Sequence, residues 1–273
     1  QSRGLGDVYK RQLVGDNVEI EVLDEEEKKG NIREILTRKN ELIRPAVANI
    51  DQALVVFAVT KPKPHFNLLD RFLVMMEQKK IPVILCFNKS DIAKESDISK
   101  MEEIYRSCGY PVFFTSAKEG WKIEEVKKIL HGKTTVLAGP SGVGKSSLIN
   151  LLQSEVMMET GSISRKIDRG KHTTRHSELL VLEEDEKVED CGSYIVDTPG
   201  FSSLYVNDFE KEQLKYYFPE FGPYEGLCRF SGCDHVHEPD CAVKQAAEEG
   251  KIHEIRYNDY VAMYRELQEK RRY

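Results

Sequence analysis

The stretch GPSGVGKSS, Gly139 to Ser147, limits what this chain can fold into more than any other feature. It follows the apolar run TTVLA and opens the apolar run SSLINLL. A strand therefore enters a glycine turn and leaves as a helix. Glycines allow backbone dihedrals that other residues resist, so successive N–H groups turn inward around an anion. The helix N-terminus adds its partial positive charge. Gly139-x4-Gly144-Lys145-Ser146 is thus a phosphate-binding loop, which places Gly139, Pro140, Ser141, Gly142, Val143, Gly144, Lys145, Ser146 and Ser147 around a nucleotide. Lys145 is expected to reach the terminal phosphates and to act in catalysis, and the Ser146 hydroxyl to ligate Mg2+. A plain glycine turn is the simpler alternative, and the Lys-Ser placement argues against it.

A loop of this kind needs a parallel sheet behind it, and the sequence supplies one. ALVVFAVT (Ala53–Thr60), PVILCFN (Pro82–Asn88), PVFFTS and TTVLAG are apolar without alternation. Helical stretches lie between them at 67–79, 98–108 and 123–131. Strands apolar on both faces, alternating with helices, describe a parallel sheet covered on both sides. ELLVLE and SYIVD are further strands, the first antiparallel at an edge.

Two strand ends carry base-reading signals. Asn88-Lys89-Ser90-Asp91 ends PVILCFN, and TSAKEG (Thr115–Gly120) ends the next strand. Ligands of open α/β sheets sit at such ends. The Asp91 carboxylate accepts both the ring N–H and the exocyclic amine of guanine, a donor pair that adenine lacks. Asn88 is expected to donate to the base, the Lys89 stem to pack on its face, and the Ala117 N–H beside Ser116 to meet guanine O6. Either motif alone is weak, since these are common loop residues; the pair at successive strand ends is stronger.

DTPGF (Asp197–Phe201) ends SYIV. Asp197 is expected to hold Mg2+ through water and the Gly200 N–H to touch the γ-phosphate. Regulatory GTPases often place glutamine after that glycine; Phe201 cannot orient water, so slow intrinsic turnover and activation by a partner are expected. GKHTTRH (Gly170–His176) offers Thr173 or Thr174 to Mg2+ from the first switch. His172 and His176 are candidates to position water, with His172 the catalytic choice; a solvated loop histidine is the alternative.

Cys228-x4-Cys233-x-His235-x5-Cys241 supplies three thiolates and one imidazole, a complete Cys3His shell for one structural zinc. His237 competes as the fourth ligand, and free cysteines are the plainer reading. Six cysteines in 273 residues, three of them clustered with a histidine, suit metal binding in a reducing cytosol better than disulfides. A net charge of −6 argues mildly against a protein that coats nucleic acid by electrostatics alone. No run of eighteen apolar residues exists, so no membrane partner is expected.

The N-terminal part is strand-like: VGDNVEIEVL alternates as a half-buried strand does, EEEKKG is a charged turn, and NIREILTRKNELIRP carries a second strand. The opening QSRGLGDVYKRQ resembles a translated sequencing-adaptor scar, and residues 1–12 are set aside from the fold reading. A polar strand and turn is the alternative.

The motif order is guanine, guanine support, phosphate loop, switch one, switch two, a circular permutation of the usual GTPase order. Chain order does not place ligand contacts, since strand ends do, so one site survives the permutation. Switch two then runs directly into the cysteine-rich module. This order, with NKSD, TSAKEG, GPSGVGKSSLIN, RGKHTTRH, DTPGFSSL, FPE, CRFSGCDHVHEPDCAVKQA and RYNDY, resembles the ribosome small subunit-dependent GTPase A (RsgA) family. The resemblance runs from Leu13 to the C-terminus. It implies an α/β fold: a partial OB-fold β-barrel over 1–45, a circularly permuted P-loop GTPase domain over 46–206 and a helical zinc-binding domain over 207–273. It implies a cytoplasmic, monomeric GTP hydrolase stimulated by the small ribosomal subunit, acting late in that subunit's maturation, with OB and zinc domains contacting rRNA. Too few residues remain for a complete five-stranded barrel. Two other readings stand beside it: a P-loop ATPase or kinase, and a nucleotide-gated RNA-binding scaffold with incidental hydrolysis.

Overall fold

A computed structural model describes residues 12–43, 45–159, 177–183, 192–200, 204 and 209–270. Its centre is a six-stranded sheet in the order β7-β6-β5-β8-β10-β9. These strands are β5 (Gln52–Ala58), β6 (Val83–Asn88), β7 (Val112–Phe114), β8 (Thr134–Ala138), β9 (Glu178–Glu183) and β10 (Ser193–Asp197). All pair in parallel except β9, which runs antiparallel to β10 at the edge, as its sequence suggested.

The uninterrupted apolar runs are explained by the layers on either side. Along β5, Ala53, Val55 and Phe57 point into one core and Leu54, Val56 and Ala58 into the other. The alternation is present, but both faces are dry, so hydrophobicity has no period. Helices α1 (Phe66–Gln78) and α2 (Glu95–Arg106) cover the first face with Leu69, Phe72, Met76, Ile104 and Tyr105. Helices α3 (Ile123–Leu130) and α4 (Lys145–Glu159) cover the second with Val126, Leu130, Leu148 and Leu152. Helix α2 begins three residues before its first apolar position, Ile98. The Asp97 carboxylate accepts the Lys94 N–H at 3.3 Å and Glu95 lies in the first turn, so caps rather than packing set that start.

Before the sheet, β1 (Val18–Asp24) and β2 (Lys29–Ile35) form an antiparallel hairpin through the charged turn. The expected half-burial is not found. Ile20 is 62% and Val22 56% exposed, because no described element packs on either face of the hairpin. A shorter pair follows, β3 (Glu41–Leu42) with β4 (Val47–Ala48). Its Leu42 and Val47 lie in the same buried cluster as Val55 and Phe57, so packing continues across position 45.

After switch two the chain forms 3-10 turns at Lys211–Tyr217 and Pro219–Tyr224, then α5 (Ala242–Glu248) and α6 (Glu254–Lys270). Leu214, Phe218, Phe221, Ile252, Tyr260 and Met263 make a third core. Val74 of α1 belongs to that third core while its neighbours Leu73 and Met76 face the sheet. Helix α1 is therefore the shared wall between the nucleotide-type domain and the C-terminal unit.

Candidate functional site

Parallel strands bring their C-terminal tips to one edge. β6 delivers Asn88, β7 leads to Ser116, β8 delivers Gly139 and β10 delivers Asp197. Hydrogen bonds tie these tips together. The Asn88 amide donates to Val143 O at 2.9 Å, and Asn88 Oδ1 accepts the Ala117 N–H at 2.9 Å. Lys89 Nζ donates to Gly142 O at 2.6 Å and to Lys61 O at 2.7 Å. Ser116 Oγ donates to Asp91 Oδ1 at 2.7 Å.

Within the protein, two of the expected base-reading residues also hold the loops together. Asn88 is buried, and its side-chain amide bridges the phosphate loop and the TSAKEG loop. The Ala117 N–H donates to Asn88 Oδ1. Lys89 adopts a left-handed backbone, φ 64°, a conformation that costs a non-glycine residue energy and persists where surroundings enforce it. Its two carbonyl partners supply that enforcement. Asp91 remains exposed, with one carboxylate oxygen fixed by Ser116.

The loop's glycines are required by contact as well as by dihedral. A Cβ at Gly139 (φ 152°) would lie 2.1 Å from Val56 O, and one at Gly144 (φ 99°) 2.3 Å from Asn88 Nδ2. Pro140 and Ser141 lie in the turn, and Ser146 and Ser147 follow Lys145 in the first turn of α4. Lys145 Nζ donates to Gly139 O at 2.7 Å and Pro140 O at 3.0 Å. Burial holds this ammonium below the ordinary lysine range, and Asp197 pulls it back up. Switch two closes the site. A Cβ on Gly200 would meet Ser141 N at 3.0 Å and Lys145 Nζ at 3.3 Å. Thr198 Oγ1 donates to Leu137 O at 2.6 Å, pinning the β10 exit to the strand that feeds the loop. That use of Thr198 was not foreseen. His172, Thr173, Thr174, His176 and Phe201 lie outside the described residues.

A second cluster lies in the C-terminal unit. One ligand atom each from Cys228, Cys233, His235 and Cys241 falls within 4.8 Å of all the others. Cys228 Sγ is 3.8 Å from Cys241 Sγ, and His235 Nδ1 is 3.5 Å and 3.3 Å from those sulfurs. Tetrahedral bonds to zinc separate two sulfurs by about 3.8 Å, so the donor set and spacing fit such an ion. Burial pushes the Cys233 thiol up to about 12 and Cys241 upward, so a cation is needed to hold them as thiolates. His237 is exposed and outside the cluster, which separates it from His235. His235 turns its other nitrogen, Nε2, toward Glu225 Oε1 at 3.5 Å. Glu225 was not foreseen, because nothing in its spacing marks it. No helix among the described residues is long and apolar enough to cross a membrane.

Known proteins show the same arrangement. Residues 35–207 match the family model described as RsgA GTPase. The small ribosomal subunit biogenesis GTPase RsgA of Agathobacter rectalis is 57% identical over 96% of this chain and 85% of its own length. That of Alkaliphilus metalliredigens is 48% identical over 100% of this chain and 92% of its own. The crystal structure of YjeQ from Thermotoga maritima superposes with a TM-score of 0.74 at 42% identity, covering 95% of this chain and 85% of that one. YloQ, described as a circularly permuted GTPase, gives 0.73 at 38% identity, covering 99% and 86%. The fold is thus that of a circularly permuted GTPase, and the chain belongs to the RsgA GTPase family.

Proposed function

We propose that this chain hydrolyses GTP when the small ribosomal subunit stimulates it, and that it serves late maturation of that subunit. The observation that carries the reading is the joining of Asn88, Lys89, Ala117 and the Gly139–Ser147 loop by hydrogen bonds at one sheet edge. Asp91, held by Ser116, selects guanine. Lys145 directs its ammonium at the β- and γ-phosphates, and the Gly200 N–H reaches the γ-phosphate from switch two. Ser146 and Asp197, with Thr173 or Thr174, would hold Mg2+. Bound with GTP, that ion neutralises charge developing on the transferred phosphoryl group. His172 orients the attacking water in place of the residue that Phe201 replaces, with His176 the other candidate.

In the same reading, 1–45 is a partial OB-fold, 46–206 the GTPase domain and 207–273 the domain held by one structural zinc. The first and last contact rRNA, and the protein works as a cytoplasmic monomer. The test is GTP turnover with and without purified small subunits. Clear stimulation supports the proposal; equal rates favour the scaffold reading, which Phe201 keeps in view. ATP displacing a GDP analogue at equal concentration would favour the ATPase reading.

Asp91→Asn is expected to weaken GDP binding about 10–100-fold, the worth of hydrogen bonds to a charged group, and to raise preference for xanthine nucleotides. Competition between GDP and XDP measures it, and unchanged guanine preference would remove the assignment of Asp91. Zinc analysis should find one ion per chain, and chelation should unfold the C-terminal unit, whose third core closes over Cys233 and Cys241. Circular dichroism with and without chelator reads that loss.

A further inference from the structure

Three contacts lead from the segment after switch two into the Cys3His cluster. Lys215 lies in the 3-10 turn Lys211–Tyr217, the first described element beyond switch two. Its side chain is 7% exposed, and Nζ donates to Cys233 O at 3.0 Å. The same Nζ stands 3.3 Å from Glu225 Oε1, and that oxygen stands 3.5 Å from His235 Nε2. Glu225 Oε1 and His235 Nε2 are both shut off from solvent, and neither makes a hydrogen bond to any other described residue. A parallel set runs beside them. Lys211 Nζ donates to Tyr264 Oη at 2.6 Å, and Tyr264 Oη donates to Asp234 Oδ2 at 2.6 Å, next to His235.

We propose that Lys215 and Glu225 are positioning residues of the Cys228, Cys233, His235 and Cys241 metal site, and that they couple it to the exit from switch two. The proposal rests on the zinc reading above. A ligating imidazole needs its second nitrogen fixed, because that fixes the tautomer and the ring plane and raises the basicity of the ligating nitrogen. His235 offers Nδ1 to the thiols, so Nε2 must carry the proton, and Glu225 is the carboxylate facing it. Lys215 holds that carboxylate in place and restrains the Cys233 backbone with the same ammonium. It also offsets charge: three thiolates around a divalent cation leave one negative charge in a buried site, and a neighbouring ammonium lowers its cost. Any displacement of Lys211–Tyr217 by switch two would thereby pull on two of the four ligands. In the opposite direction, a loaded site would fix where that segment lies.

The experiment is zinc transfer from the full chain to a chromophoric chelator, with Co2+ spectra to register how the site is assembled. Glu225→Ala should release zinc about 10–100-fold faster than the parent chain. Glu225→Gln, which keeps an acceptor oxygen without the charge, should fall between. Lys215→Met should release faster as well, and amide exchange over Lys211–Tyr217 should rise above the parent's in its zinc-loaded form. If Lys215→Met does not fold, the Glu225 pair decides, since the Glu225 side chain is 30% exposed. Parent-like release from both Glu225 variants would overturn the proposal while leaving the zinc site standing. Exchange over Lys211–Tyr217 that ignores chelation would overturn the coupling. A parent chain that holds no zinc would overturn the zinc reading itself, and the proposal with it.

Discussion

Lys145→Ala is expected to lower GTP and GDP affinity by about two orders of magnitude, some 3 kcal/mol, with the sheet left folded. The ammonium has two duties. Toward a nucleotide it is, in the proposed function, the point charge that would meet the terminal phosphates. Within the protein it caps the Gly139 and Pro140 carbonyls at 2.7 and 3.0 Å and so shapes the loop before any ligand arrives. Alanine removes both, leaving two carbonyls turned into a phosphate site, where they repel an anion. Arginine should not restore binding. Its planar fork is larger than the ammonium, and Lys145 Nζ already stands 3.3 Å from where a Cβ on Gly200 would be. The chain provides its own reporter: Trp121 is the one tryptophan, half-exposed, and its backbone pairs with Ser116 in the TSAKEG loop. Energy transfer from Trp121 to a labelled GDP gives the affinity directly. An affinity within about threefold of the parent, less than 1 kcal/mol, would contradict the phosphate-loop assignment.

What could be read from the sequence, and what could not, divides along physical lines. The parallel sheet was legible because β5 and β6 are buried on both faces, and two-sided burial erases the period of a half-buried strand. The phosphate loop was legible because glycine positions are dictated locally, by dihedral angle and by the close approach of Val56 O. The Cys3His cluster was legible because its four side chains come from one short stretch. Residues whose role is set by a distant partner left no mark. Asn88 reads as a base donor in isolation, and its bond to Val143 O is visible only in the fold. Glu225 and Lys215 look like surface charges, each beside one tyrosine. The β1–β2 hairpin shows the converse. Its alternation is genuine, but alternation says only that a face can be buried, and Ile20 and Val22 are exposed here. Arg256 is the largest omission. It sits in RYNDY, in the charged sequence of α6, yet it is the largest fully buried side chain among the described residues.

Arg256→Ala is therefore expected to destabilise the protein more than any change at the surface, by about 3–5 kcal/mol. The guanidinium, on α6, is shared by two carboxylates from different parts of the molecule. Its NH1 lies 2.7 Å from Asp70 Oδ1 on α1, while Nε and NH2 meet the two oxygens of Glu220 at 2.6 and 3.1 Å. Its Cζ lies over the Phe218 ring, 4.6 Å from the centroid, and Tyr105 Oη donates to Asp70 Oδ1 at 3.0 Å. Burial drives the Asp70 carboxyl upward, with the Asp259 carboxyl adding to that, and Arg256 opposes both. Removing the cation leaves two buried carboxyl groups without their partner, and each must then stay charged in a dry site or take up a proton, a larger penalty than the attraction lost. The comparison with neutral packing separates these effects. Arg256→Met with Asp70→Asn and Glu220→Gln should recover much of the loss, since no buried charge then lacks a partner. Arg71→Ala is the internal control. Its pair with Glu266 also joins α1 to α6, but both side chains reach solvent, so the loss should stay near or below about 1 kcal/mol. Urea unfolding of the three variants tests the order. A loss under about 1 kcal/mol for Arg256→Ala would mean that water enters and solvates Asp70 and Glu220, and α1 would then be a looser wall than its packing indicates. If the order holds, the C-terminal unit is held on the GTPase domain by one buried cation as well as by the chain leaving switch two, and α1 is where the two routes meet.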